Sequence, residues 1–332
     1  MKTLRTRLGL PALVLAGLMV AGCSTAAPTG NVSPAGDSPS ATATSGYPAT
    51  VASCGRDFSY AKAPSRVVLG NYRTLKTLDA LGVADAVHGY LLGPDDRGVA
   101  PSNLPKDLVM VSPDTVPARE PVIAAAPDLF LSFTEAQLVG QGKLSYDDLA
   151  GVGANAYVMG DYCVASPVNR PIDTVYTDIT NLGQIFGVPE RAERLNRQLK
   201  DRVTKAKDSL DGRTATVAFL KVVGGKVYAI GGYPVSATLG ALGLTNQFAD
   251  LPTPFAELSA EQARAMTPDL IFVNYVGDEK AAIAELAAAL PDLPAVKDRR
   301  VHGADENLAQ GGGVGAIDAL EAIAADVKNA RR

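Results

Sequence analysis

Two stretches of the chain copy one another, and an internal duplication constrains a fold more tightly than any bulk property. Leu69 to Asp85 reads LGNYRTLKTLDALGVAD and Ile230 to Asn246 reads IGGYPVSATLGALGLTN. Aligned without a gap, they share Gly70 with Gly231, Tyr72 with Tyr233 and Thr77 with Thr238. Leu78, Ala80, Leu81 and Gly82 likewise match Leu239, Ala241, Leu242 and Gly243. A second match comes later in the same order: Glu120 stands seven residues before Pro127-Asp128-Leu129, as Glu261 stands seven before Pro268-Asp269-Leu270. A common strand entry accounts for a Pro-Asp-Leu tripeptide, but not for the matched Glu or the Tyr segment. The chain therefore reads as two similar lobes, each opening with the same strand, turn and helix and each placing a tyrosine hydroxyl at the rim.

The N-terminus is not part of that body. Lys2, Arg5 and Arg7 precede an apolar run from Leu8 to Val20, the order of an export signal. The run ends in Val20-Ala21-Gly22-Cys23, small residues directly before a Cys, which resembles the lipobox of bacterial lipoproteins. Residues 1–22 are thus expected to be removed and Cys23 to carry lipid. From Ser24 to about Thr50 the composition turns to Ala, Ser, Thr, Pro and Gly, too poor in apolar surface to offset its ordering entropy, so 23–50 is expected to be a disordered tether. Loss of the three leading cations takes the formal charge from −4 to −7, which argues against nucleic acid as a partner. With Cys23 acylated, Cys54 and Cys163 remain as one pair in an oxidising setting, and a disulfide is expected between them.

Within the body, short apolar runs alternate with helix-like stretches: RVVLG before TLKTLDAL, PDLFLSF after PVIAAA, then TATVAFLKV, KVYAIGG and PDLIFVNY. That alternation predicts parallel α/β sheets with covered faces. Residues 51–188 are assigned to an N-terminal lobe and 212–332 to a C-terminal lobe. Between them, a helix predicted to start at Pro189 and end at Asp211-Gly212 carries Ala192, Leu195, Leu199, Val203, Ala206 and Leu210 on one side. At about 1.5 Å per residue it is roughly 30 Å long, the length of a small domain.

Together these features resemble the substrate-binding lipoproteins of bacterial ABC importers for ferric siderophores, haem and cobalamin. The residues that carry the resemblance are Cys54-Gly55-Arg56, Pro64 and Arg66 to Val68 followed by Ala80 to Val83, the Glu and Pro-Asp-Leu segment of each lobe, Leu182 to Leu195, and a last strand near Arg300-Val301. The resemblance implies a class III arrangement, two Rossmann-like α/β lobes with mainly parallel sheets joined by one long helix. It further implies a monomer that serves permease subunits, with Glu120 and Glu261 docking onto their arginines. The alternative for each Glu is that it complements the dipole of its own helix.

Ligands of open α/β sheets bind outside the carboxyl ends of the strands. The candidates for ligand contact are therefore Tyr72 and Arg73, Phe133 and Glu135, Tyr233, and Asn274 and Tyr275. Arg73 suits an anionic chelate through its planar guanidinium; a surface salt bridge is its alternative, as a ring packed at a sheet edge is for each Tyr. The Gly311 to Gly313 run lacks the spacing of a phosphate loop and reads as a connection. Only two His occur, His88 and His302, too scattered for a zinc or manganese cargo site. No Gly-x-Ser-x-Gly or His-Glu-x-x-His is present, so an exported enzyme is not the expectation. The expected ligand is an Fe(III)–siderophore complex, with no cofactor; haem, cobalamin, or service to a sensor complex are the alternatives.

Overall fold

The computed structural model describes residues 46–92, 104–306 and 312–330. Cys23, the signal segment, most of the tether and Gly311 lie outside them. The tether boundary at residue 50 is corrected by the structure. The Tyr47 hydroxyl donates to the Ile185 carbonyl at 2.7 Å, and its ring lies where a side chain on Gly187 would sit. Strand β1 (Ala49–Ser53) then pairs antiparallel with β2 (Arg56–Tyr60). The turn between them holds Cys54 and Gly55 at φ 50° and 71°, the pair of positive angles that a tight hairpin requires.

The N-terminal sheet has the order β5-β4-β3-β6-β7 and is parallel throughout. Its strands are β3 (Val67–Leu69), β4 (Val87–Leu91), β5 (Val109–Ser112), β6 (Leu129–Ser132) and β7 (Asn155–Val158). Alternate residues divide the two faces, as a pleat dictates. Val67, Leu69, Leu129 and Leu131 face one core together with helices α1 (Leu75–Leu81) and α4 (Asp173–Ile185). Val68, Phe130, Ala156 and Val158 face the other, with α2 (Arg119–Ala124) and α3 (Tyr146–Gly151).

The C-terminal sheet is mixed. Strands β12 (Leu270–Tyr275) and β13 (Val301–Asp305) run parallel to β8 (Thr216–Val223), but β9 (Lys226–Ile230) folds back antiparallel through Gly224 and Gly225, and β11 (Phe255–Glu257) pairs with β9. A short β10 (Thr245–Asn246) lies beside the start of β8. The duplication is thus preserved in the helices and altered in the strands. Helices α1 and α6 (Val235–Leu242) both end on a left-handed glycine, Gly82 at φ 70° and Gly243 at φ 79°. The strand leading into α1 is the centre of a parallel sheet, whereas the one leading into α6 is the return arm of a hairpin.

The repeated Pro-Asp-Leu has a structural task. The Asp128 carboxylate accepts from the Ser65 and Arg66 amides at 2.7 and 2.9 Å, and Asp269 accepts from the Thr216 amide at 2.8 Å. Each Asp amide returns a bond to the neighbouring strand, to the Arg66 or Thr216 carbonyl. In both lobes the aspartate fixes the start of the central strand against the next one.

Helix α5 (Pro189–Asp208) is the predicted strut, and Pro occupies its first turn. Ala192, Leu195 and Leu199 lie in the N-terminal core, while Ala206 and the following Leu210 lie in the C-terminal core. After α7 (Ala260–Arg264), α8 (Glu279–Ala289) and α9 (Pro294–Lys297), the last helix α10 (Gly313–Asn329) does the same. Val314, Ala316 and Ile317 join the N-terminal core; Leu320, Ile323, Ala324 and Val327 join the other. The C-terminal lobe as drawn from the sequence therefore gives up the first turns of its final helix to its neighbour. A charge cluster binds three helices here: Arg202 of α5 reaches Asp318 and Glu321 of α10 at 2.6 Å each, and Lys76 of α1 also pairs with Asp318.

Cys54 and Cys163 form the expected disulfide, closing a separation of 109 residues between the first hairpin and the loop after β7. A loop of that length stabilises by about 4.8 kcal/mol in the chain-entropy picture, and measured bridges typically give about 2–4. Cys54→Ser with Cys163→Ser is expected to lower unfolding free energy in urea by about 2–4 kcal/mol; a change below about 1 would show that the surrounding loop is held without the bridge.

Candidate functional site

At the carboxyl ends of the strands the lobes enclose a cleft of about 560 Å³. The N-terminal lobe supplies Phe133 and Thr134 after β6, and Tyr162 after β7. The opposite wall comes from the β8–β9 hairpin and the segment that leads into β11, with Val223, Ile230, Pro254 and Phe255 giving a mainly apolar surface. Its polar groups are Lys221, Asn274 and Glu306. Lys221 and Glu306 pair at 2.9 Å, with the Glu306 side chain only 2 % exposed and Lys221 16 %. The pair joins the end of β8 to the residue after β13 across the intervening β12.

Tyr233 takes a different position from its repeat partner. Tyr72 is half-buried, edge-on to Tyr90 with ring centroids 6.3 Å apart. Tyr233 is 2 % exposed and packed into the N-terminal lobe, so the expectation of a hydroxyl at the rim is corrected for this residue. Its amide donates to the Val168 carbonyl at 2.9 Å, and its carbonyl accepts from the Tyr162 hydroxyl at 2.6 Å. The two rings meet edge to face at 5.1 Å, and the Arg170 guanidinium lies 4.4 and 5.0 Å from the Tyr162 and Tyr233 ring centres. Glycine is required on both sides. A Cβ on Gly160 would come within 2.9 Å of the Tyr233 ring, and one on Gly232 within 2.6 Å of Val168, both at positive φ. Burial and then the Asp178 carboxylate push the Tyr233 hydroxyl well above its ordinary pKa, so it stays protonated. Tyr233 is among the residues that line the cleft, and it also joins the lobes.

The other sequence candidates divide. Phe133 and Asn274 line the cleft. Arg73 is 8 % exposed, with its guanidinium 4.8 Å from the Tyr72 ring centre, so it lies beneath the surface, and it is not among the residues that line this cavity. Glu135 faces the disulfide instead, accepting from the Val164 amide at 2.7 Å and the Tyr146 hydroxyl at 3.2 Å. Burial, then Glu135, pushes that hydroxyl's pKa up. Tyr275 opens onto a separate cavity of about 290 Å³ with Glu279, Asp305 and Asp326. Burial raises the Asp326 carboxyl, with His302 opposing and Glu279 reinforcing the shift. His302 stacks on Phe272. Among the described residues the one group with metal-ligand spacing is Cys54, Glu135 and Cys163, and the bonded sulfurs leave it no thiolate.

Tyr162, Lys221, Phe255 and Glu306 were missed from sequence. A lysine inside the otherwise apolar run TVAFLKVV was a usable signal, as was the position of Glu306 just after a strand. Glu120 and Glu261 occupy the same place in their lobes, second residue of the short helices α2 and α7, and both are exposed.

Two α/β lobes that share two helices and face each other across a cleft at their strand ends define a binding protein for a small molecule. The family described as periplasmic binding protein matches residues 67–308, and the chain belongs to it, as a substrate-binding protein of the ABC-transporter type. It is 24% identical over 324 residues, 95% of each chain, to the uncharacterized ABC transporter substrate-binding lipoprotein YvrC of Bacillus subtilis (strain 168). Among solved structures it is similar to that of an ABC-type Fe3+-hydroxamate transport system from Saccharomonospora viridis DSM 43017. The TM-score is 0.70 and the identity 25%, over 84% of this chain and 99% of that one. The periplasmic haem-binding protein RhuT from Roseiflexus sp. RS-1 shares the fold at TM-score 0.64 and 23% identity, over 80% and 98% of the two chains. No helix among the described residues is long and apolar enough to cross a membrane.

Replacing Lys221 takes a cation from beside the Glu306 carboxylate, whose side chain is 2 % exposed. Lys221→Met is expected to lower stability by roughly 3 kcal/mol, and adding Glu306→Leu to restore most of it, both read from urea unfolding. If the double variant is no better than the single, the buried Glu306 charge is not the source of the loss.

Proposed function

We propose that this chain is the lipid-anchored, extracytoplasmic binding component of an ABC importer, capturing a ferric siderophore between its lobes and delivering it to the permease. The observation that carries the reading is the aromatic-walled cleft at the strand ends, large enough to cover much of an organic chelate. Iron would arrive already wrapped in its chelator. The Tyr162 hydroxyl is engaged with a backbone carbonyl, and the Tyr233 hydroxyl is buried and held protonated. Acylation of Cys23 would hold the body at the outer face of the cytoplasmic membrane. Glu120 and Glu261, exposed on equivalent helices, offer paired charges to a two-fold permease, which favours orientation and encounter.

Titration of the full chain in detergent with ferric siderophores, haem and cobalamin, read by quenching of tyrosine fluorescence, tests the capture step. Saturable quenching by a ferric siderophore is expected, weakened about tenfold by Phe133→Ala, the worth of one aromatic contact. A folded chain that binds none of them overturns the reading. For delivery, Glu120→Ala with Glu261→Ala is expected to lower cellular uptake at least about tenfold. Unchanged uptake would point to a lipoprotein that serves a sensor or another partner.

A further inference from the structure

Resting on the binding role just proposed, we infer that Gln137, which does not line the cleft, positions the cleft's N-terminal wall and ties that wall to the loop leading into α2. A ligand held against Phe133 thereby also steadies the base of the helix that carries Glu120.

Gln137 ends a single helical turn, Glu135–Gln137, that follows β6 and the cleft residues Phe133 and Thr134. The turn brings its side chain back beneath the strand ends, where it is 0 % exposed. The amide oxygen accepts from the Phe133 amide at 3.2 Å, and the Ser132 hydroxyl lies 2.6 Å from the same atom. The amide nitrogen donates to the Gly70 carbonyl at 2.9 Å and to the Thr115 carbonyl. One side chain thus joins the end of β3, the end of β6 and the loop between β5 and α2. Its partners dictate which way the amide points, since the Phe133 N–H can only donate and the two carbonyls can only accept. Gly70 keeps the place open, because a Cβ there would overlap the amide oxygen.

A buried amide bonds more strongly than one in water, and withdrawing it from its partners is correspondingly costly. Here it grips the Phe133 backbone directly, so the place of that ring in the cleft follows the place of the amide. It also grips Thr115, five residues ahead of Glu120, the second residue of α2. None of the residues 113–118 is among those that line the cleft, so an effect of ligand on that loop has to pass through side chains that touch both. Gln137 is hydrogen-bonded to both.

The test titrates the full chain in detergent with ferrichrome, ferric enterobactin, haem and cobalamin, read by tyrosine quenching, and continues with the tightest binder. Gln137→Met, similar in size but without the amide, is expected to weaken that binding about tenfold. Because the effect runs through Phe133, adding Phe133→Ala is expected to leave the loss at about tenfold, where independent sites would give about a hundredfold. Hydrogen exchange read by mass spectrometry supplies a second measurement: saturating ligand is expected to slow exchange across 113–118 at least about threefold in the wild type and not in Gln137→Met. Binding by a folded Gln137→Met chain as tight as in the wild type, or independent losses in the double variant, overturns the positioning role while the capture role stands. Protection of 113–118 that persists in the variant, or that is missing from the wild type, overturns the tie to α2. Should Gln137→Met not fold, Ser132→Ala carries the same comparison with an expected loss of about threefold, and unchanged affinity there overturns the positioning role. Binding of none of the four by a chain shown to be folded by circular dichroism overturns this inference and the capture role together.

Discussion

Helices α5 and α10 each bury one end in one lobe and the other end in its neighbour, and the geometry of the cleft depends on that sharing. Along α5 the division falls near Val203, which packs against both cores; along α10 it falls between Ile317 and Leu320. Moving one lobe relative to the other would therefore expose apolar surface on two helices at once, at about 25 cal/mol per Å² uncovered. The Arg202 cluster adds a polar lock at the same level, with the guanidinium shared between Asp318 and Glu321. A junction of this kind permits adjustment but resists wide opening, so the cavity is largely preformed.

On the cleft side the lobes meet a third time, through the Tyr162–Tyr233–Arg170 cluster. An edge-to-face aromatic pair contributes about 0.5–1.5 kcal/mol beyond its area, and a guanidinium near each ring adds about 0.5–2. The loop that carries Tyr162 and Arg170 also contains Cys163, so the disulfide holds this junction to the first hairpin. The same residues form one end of the cavity wall. Binding surface and interlobe contact are thus built from one group of side chains.

Much of this architecture was legible in the sequence. Proline at the first turn of α5 and an apolar stripe down one side gave its start and its course, because both are local properties of a helix, although it ends at Asp208 rather than at the expected Asp211. The glycine that ends α1 and α6 was legible for the same reason, because glycine relaxes most readily into a left-handed cap; the duplicated Pro-Asp-Leu was legible as a repeated pattern, though the strand start its aspartate bonds lies more than fifty residues earlier in the chain. What the repeat could not convey was long-range pairing. The strand before Tyr72 lies at the centre of a parallel sheet and the strand before Tyr233 returns from a hairpin, so two matched segments send their rings to different surroundings. The rule that ligands sit after strands named Phe133 and Asn274, which line the cleft, but could not tell Arg73, turned onto a ring, or Glu135, turned to the disulfide, from residues that face the cavity. Lys221 and Glu306 are far apart in the chain, and nothing local announces that they meet.

The shared C-terminal helix also bears on the order in which the chain can fold. Val314, Ala316 and Ile317 complete the core beneath the N-terminal sheet, although they lie in the last helix of the chain. A chain that emerges from its N-terminus first has no finished first domain to set aside while the remainder is made, in contrast to proteins whose domains fold one after another. Its two lobes mature as one unit, closed only once the first turns of α10 have arrived.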